Sequence, residues 1–145
     1  MNVRGVLKTK NRQIITIGAE ATVTEAVSRL VGNDIGSLPV VDDAGHLIGI
    51  FTERDVLRGL HKRGADFCHA KIGEVMTRDP IACHQNDSIQ DTMEKMSDRH
   101  IGQLPVLGER EDVIGLISVG DVVKMMHEAA EAENRHLLNY LYGSA

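Results

Sequence analysis

The chain has 145 residues, 42% hydrophobic and 26% charged, values that suit one globule with an ordinary core and argue against disorder or a fibre. A formal net charge of -5 at pH 7 opposes nonspecific binding to nucleic acid, where affinity comes from Lys and Arg neutralising phosphates. No apolar run reaches the ~18 residues that cross a bilayer and the N-terminus lacks the apolar core of a signal peptide, so the expected compartment is the cytoplasm, with no membrane partner and with Cys68 and Cys83 as free thiols.

In chain order, Asn2 to Lys8 is a leader long enough for two helical turns. Ile14-Ile15-Thr16-Ile17 reads as a short strand ended by Gly18. Thr22-Val23-Thr24-Glu25 has the form of a capping box, and Ala26, Val27, Leu30 and Val31 follow at helical spacing until Gly32-Asn33. Val40-Val41 and Leu47 to Phe51 predict a hairpin around Asp42-Asp43-Ala44-Gly45, after which Thr52 opens a helix that stops near Gly64. Arg63 to Ala70 is the best linker candidate, and Ile72 to Met76 looks like one helical turn.

The order then repeats. Pro80-Ile81-Ala82-Cys83 is the strand, Ser88-Ile89-Gln90-Asp91 the cap, Leu104 to Leu107 and Val113 to Ile117 the hairpin around Gly108 to Glu111, and Ser118 the start of the last helix. The register is strict: Ile101 lies 66 positions after Ile35 and Asp121 lies 66 after Asp55 (101 minus 35, 121 minus 55). Two units of this size most naturally pack on each other, and any site at their interface is present in two related copies. The last helix runs from Asp121 to about Tyr142, with Val122, Met125, Met126, Ala129, Ala130, Leu137, Leu138 and Leu141 as an apolar stripe that fits either its own domain or a second subunit.

Thr52-x-x-Asp55 and Ser118-x-x-Asp121 each follow a Gly-containing apolar strand and open a helix. A plain helix cap accounts for both, as it does for Thr22-x-x-Glu25 and Ser88-x-x-Asp91. The strand-to-helix setting offers a second reading: free amides at a positive dipole end attract phosphate, and an Asp carboxylate accepts from both hydroxyls of a ribose. With no Trp and few aromatics, a planar ligand has to be gripped by Ile, Leu, Val and Pro.

The two Gly-x-x-[Thr/Ser]-x-x-Asp elements, each preceded by Leu-Pro-Val, resemble the tandem cystathionine-beta-synthase-type domain, the CBS pair or Bateman module, from roughly Ile14 to Met126. The resemblance implies an α/β (α+β) fold of two pseudo-symmetric β-α-β-β-α repeats packed through their sheets, plus an extended C-terminal helix. Its parts would be a leader (1–13), repeat one (14–63), a linker with a short helix (64–79), repeat two (80–126) and the helix extension (127–145). It implies a non-catalytic module binding adenosine compounds, AMP first, then ADP, ATP, NAD or S-adenosylmethionine. That module would act alone as a sensor that modulates a partner protein and pair into a homodimer through its helices. By position, Asp55 and Asp121 would hold ribose hydroxyls with Thr52 and Ser118 beside them. Thr16, Ile17, Gly36, Ser37, Leu38 and Pro39 with Thr77, Pro80, Ile81, Ala82, Gly102, Gln103, Leu104 and Pro105 would frame the ligand. Arg54, whose counterpart is Gly120, would pair with phosphate and make the two sites unequal, with Lys10, Arg12, Arg78 and Arg99 as further candidates. The rival expectation is a docking module with empty clefts. Cys68-His69 and Cys83-His84 lack the spacing of a zinc knuckle, so neither metal nor catalytic cofactor is expected.

Overall fold

Each half is built by the same local chemistry. A computed structural model describes residues 1–10 and 12–143. The leader forms α1 (Val3–Lys10). Repeat one carries β1 (Ile17–Gly18), α2 (Val23–Gly32), β2 (Ser37–Val41), β3 (Leu47–Thr52) and α3 (Glu53–Arg63). A 3-10 turn (Gly64–His69), α4 (Ile72–Val75) and β4 (Thr77–Arg78) lead to repeat two: β5 (Cys83–His84), α5 (Ile89–Arg99), β6 (Gln103–Leu107), β7 (Val113–Ser118) and α6 (Val119–Tyr142). In both sheets the first strand is parallel to the second and the second antiparallel to the third, with a bulge at the same place, Val40/Val41 and Val106/Leu107.

The hairpin turns use different residues for one geometry. Asp42 accepts from the Ala44 and His46 amides while Gly45 sits at φ 85; at Gly45's counterpart, Glu111 takes φ 61 instead. The first strands are shorter than expected. Only Ile17–Gly18 and Cys83–His84 pair, against Val40–Val41 and Val106–Leu107, and 14–16 and 80–82 lie outside the ladder. Pro39 and Pro105 stand next along β2 and β6 and have no N–H to continue it.

Two aliphatic cores result, one per sheet. Ile17, Leu38, Val40 and Phe51 centre the first; Leu104, Val106, Ile117 and Val122 centre the second. Each core is completed by the segment that precedes the other repeat. Val3 and Val6 of α1 are buried in the second core, whereas Phe67, Ala70 and Ile72 of the 64–79 stretch are buried in the first. Phe67 stacks on Phe51 with ring centroids 6.4 Å apart and lies over Gly59, where a Cβ would come within 2.1 Å of its ring. The equivalent glycines Gly49 and Gly115 admit these segments in the same way, taking Met76 and Leu7 respectively where a side chain would clash.

The repeats face each other about a pseudo-twofold axis, on which a residue meets its own counterpart. Ser37 hydrogen-bonds Gln103, and His46 pairs with Asp112. The 24-residue α6 extends about 36 Å at 1.5 Å per residue. It opens behind Ser118, its expected first residue, which serves as the cap. Val122 is buried, while Leu137, Leu138 and Leu141 near its far end are exposed.

Candidate functional site: two clefts at the repeat interface

The axis at Ser37 and Gln103 separates two related hollows. The first cleft, about 700 Å³, is walled by Ile50, Thr52, Glu53 and Arg54 at the β3–α3 junction, by Thr77, Asp79, Pro80 and Ile81 on the approach to repeat two, by Arg99 to Gln103 after α5, and by Gly36 and Ser37. The second has a polar mouth of about 360 Å³ formed by Thr9, Lys10, Arg12, Asp34, Gly36, Gln103, Ser118, Asp121 and Lys124. It adjoins an inner recess of about 110 Å³ walled by Leu7, Ile14, Ile15, Ile35, Ile114 and Leu116. The first cleft and the second mouth reach the usual size range of small-molecule sites, and both combine aliphatic walls with a few charged groups.

At each junction the cap and the candidate ligand group are the same side chain. The Thr52 hydroxyl accepts from the Asp55 amide (3.2 Å) while Asp55 Oδ2 accepts from the Thr52 amide (2.9 Å). Ser118 and Asp121 reproduce this at 3.1 and 2.9 Å. The reciprocal box belongs to α3 and α6; at α2 and α5 the cap hydroxyl of Thr22 or Ser88 accepts from the N3 amide. A carboxylate has lone pairs for several donors, so capping leaves it able to accept from a ligand as well.

Lys10 distinguishes the second cleft. From the end of α1 its Nζ lies 2.8 Å from Asp121 Oδ2 and donates to the Leu116 carbonyl at 2.8 Å. Partial burial works to raise the Asp121 pKa, but the Lys10 hydrogen bond, the Ser118 amide and hydroxyl, and the Lys10 charge outweigh it and hold the carboxyl below its ordinary value.

The residues expected to form the site divide into four groups. Gly36, Ser37, Thr52, Arg54, Thr77, Pro80, Ile81, Gly102 and Gln103 come together in the first cleft; Gly36, Gln103, Ser118 and Asp121 come together in the second. Asp55 is not in the first cleft's wall and meets it through Thr52. Ile17, Leu38 and Leu104 are fully buried core side chains, and Pro39 and Pro105 are buried within β2 and β6, so none of these five presents its side chain to a cleft. For Leu38 and Leu104 strand alternation is the reason: Ser37 and Gln103 reach the interface, and the next residue along each strand turns into its core. Thr16 and Ala82 stand outside both clefts. Their carbonyls accept from Arg29 (2.5 Å) and Lys95 (3.0 Å), and Ala82 borders a separate hollow with His46 and Glu111.

Of the further cations proposed from sequence, Lys10 and Arg12 line the second cleft and Arg99 the first, whereas Arg78 donates to the Gly73 carbonyl. Sequence reasoning missed Glu53, Asp79, His100, Asp34 and Lys124, all cleft residues. Extending the 66-residue offset to the neighbours of Gly36 and Gly102 would have found Asp34 and His100. The Cys83 thiol is buried and pushed up to about 12, mainly by desolvation and then by Asp87, so it is not a reactive thiolate. Among the described residues, no three His, Cys, Asp or Glu side chains gather to hold a metal, and no helix is long and apolar enough to cross a membrane.

Paired repeats, a capping Thr/Ser–Asp at each junction of the hairpin with the following helix and two interface clefts define a tandem two-repeat module. The CBS domain family model matches residues 3–62 and again 72–128, each match opening on the helix that leads into its repeat. The chain belongs to the CBS domain family and carries a pair of these domains. A CBS-domain protein from Agrobacterium tumefaciens, ATU1752, superposes with a TM-score of 0.79 at 32% identity over 87% of this chain and 99% of that one. The CBS domain pair of protein MJ0100, solved in complex with 5'-methylthioadenosine and S-adenosyl-L-methionine, gives 0.77 at 27% identity over 89% and 98%. The CBS domain-containing protein YhcV of Bacillus subtilis is 28% identical over 86% of this chain and 89% of its own length. The chain spans only about a fifth of the length of two Methanocaldococcus jannaschii enzymes that it also matches, inosine-5'-monophosphate dehydrogenase (29% identical, 78% of this chain) and L-aspartate semialdehyde sulfurtransferase (30%, 77%).

Proposed function

We propose that the chain is a non-catalytic regulatory module that binds adenosine compounds in its two interface clefts and reports their occupancy to a partner protein. The observation that carries this reading is the doubled Thr/Ser–Asp box at the clefts. It sets a short carboxylate and a hydroxyl at the N-terminus of α3 or α6, where a vicinal diol and an adjacent anion are both recognised. The inner recess of the second cleft, walled by Ile14, Ile15, Ile35 and Ile114, suits a flat apolar ring. The adenosine ligands of the MJ0100 pair, at 27% identity, point to the same ligand class, with AMP the first choice and ADP, ATP, NAD and S-adenosylmethionine behind it.

Charge-assisted hydrogen bonds of about 1.5–3 kcal/mol each make Asp121→Ala weaken binding by about one to three decades at its cleft; Asp55 acts on the first cleft through its Thr52 cap, and Asp55→Ala is expected to weaken binding there by less. The test is a thermal-shift panel with AMP, ADP, ATP, NAD, NADH and S-adenosylmethionine, using guanosine nucleotides as controls. A ligand of the native state raises apparent stability, so a selective rise with one adenosine compound supports the reading. A flat panel favours a docking module, for which the exposed Leu137, Leu138 and Leu141 of α6 offer the surface and a second copy the simplest occupant.

A further inference from the structure

The clefts share a frame and differ in the charges that line them. The segments leading into the two repeats are equivalent. The Val3 amide donates to Asp87 as the Ile72 amide donates to Ala21, and Leu7 lies on Gly115 as Met76 lies on Gly49. Both pairs are 69 apart (72 minus 3, 76 minus 7), and at the end of its lead-in the second cleft receives Lys10 from α1 where the first receives Asp79 after β4. Lys10 lines the second cleft and Asp79 the first. The second cleft therefore gathers Lys10, Arg12 and Lys124 against Asp34 and Asp121, while the first sets Arg54 and Arg99 against Glu53 and Asp79.

Lys10 is also placed where a ligand's diol has to go. Its ammonium sits on Asp121 Oδ2, the oxygen already engaged by the Ser118 amide, and the two side chains are only 23% and 22% exposed. A ribose that claims both carboxylate oxygens has to displace or share this ammonium. A displaced ammonium in a partly buried mouth needs a new anion, because an unpaired buried charge is costly. A ligand phosphate beside the ribose supplies one; an unphosphorylated nucleoside does not.

We propose that Lys10 sets the ligand charge of the second cleft, pairing with Asp121 until a phosphorylated adenosine compound takes the carboxylate with its diol and the ammonium with its phosphate. The first cleft, with Asp79 at that position, has no such requirement. The proposal rests on the nucleotide reading above and adds which cleft selects phosphate and through which residue.

The experiment is calorimetric titration with AMP and with adenosine, which share ring and diol and differ in the phosphate. It uses the full chain carrying Asp55→Ala to weaken the first cleft, with and without Lys10→Gln or Asp121→Ala; glutamine keeps a donor for the Leu116 carbonyl and removes the charge. Lys10→Gln is expected to weaken AMP by about tenfold or more and to leave adenosine unchanged or tighter, as suits loss of one charge-assisted contact. Equal weakening of both ligands, or of neither while Asp121→Ala still weakens AMP, overturns the assignment of Lys10 and leaves the nucleotide reading standing. AMP binding that neither Lys10→Gln nor Asp121→Ala changes overturns both. The melting curve of Lys10→Gln without ligand serves as the folding check, and Lys10→Arg, which keeps the charge, is expected to restore preference for AMP.

Discussion

The cleft at Thr52–Asp55 and the cleft at Ser118–Asp121 have the same scaffolding, a capped helix behind a bulged hairpin, and differ in what the preceding segment brings to them. For the second cleft that segment is α1, which carries Lys10 onto Asp121. For the first it is the approach through β4, which brings Thr77, Asp79 and Pro80. The two repeats therefore share the geometry of the site, and the lead-in segments, each packed on the opposite repeat, give each cleft its own charges.

The comparison is broken most severely through a core. Phe51→Ala empties the position where Phe67 stacks and is expected to cost about 3–5 kcal/mol in urea unfolding. The transition is expected to stay single, because each core contains the segment that leads into the other repeat; two transitions would show that the halves fold independently. Next come the glycines that admit the lead-ins. Gly49→Ala brings a Cβ to 2.9 Å from the Thr77 carbonyl and is expected to cost about 1–3 kcal/mol. Gly115→Ala meets only the tip of Leu7, which can turn away, and is expected to cost less in the same assay. Thr52→Ala and Ser118→Ala remove equivalent caps, and each is expected to lose about 0.5–2 kcal/mol; a large inequality would mean that one junction is held by something other than its box.

The smallest effect is in acid. Asp121 has its carboxyl held below the ordinary value in the folded chain, so its contribution is present above the unfolded value and is lost as pH falls through the folded one. Melting midpoints recorded down that range are expected to fall more steeply for the native chain than for Asp121→Asn or Lys10→Gln, both of which lack the ion pair.

Much of this was readable from the residues. The 66-residue offset, the four caps, the hairpin turns and the Gly64 stop are short-range signals, and the helices and hairpins formed where those signals placed them. Ser37 and Gln103 entered the expected site through the resemblance, and their meeting on the axis is a finding of the structure. The lead-ins were not legible, because Val3 and Val6 are ordinary apolar residues whose destination across the chain is a matter of long-range packing, and nothing in the composition of the 64–79 stretch marks Phe67 as core. For the same reason Lys10 was one of four equal candidates by sequence, and its pairing with Asp121 emerged only once α1 was docked on β7. Leu38 and Leu104 were drawn into the expected site by adjacency to Gly36 and Gly102, where strand alternation sends them to the cores.

The most direct test of the central claim is a titration of the 15N-labelled chain with AMP, followed through its amide resonances. Ligand in the clefts is expected to shift the amides of Thr52, Ser118 and Asp121 together with those of Ile15 and Ile81, with the Ser118 group saturating first. Shifts confined to other surfaces, or none at millimolar AMP, would contradict the account.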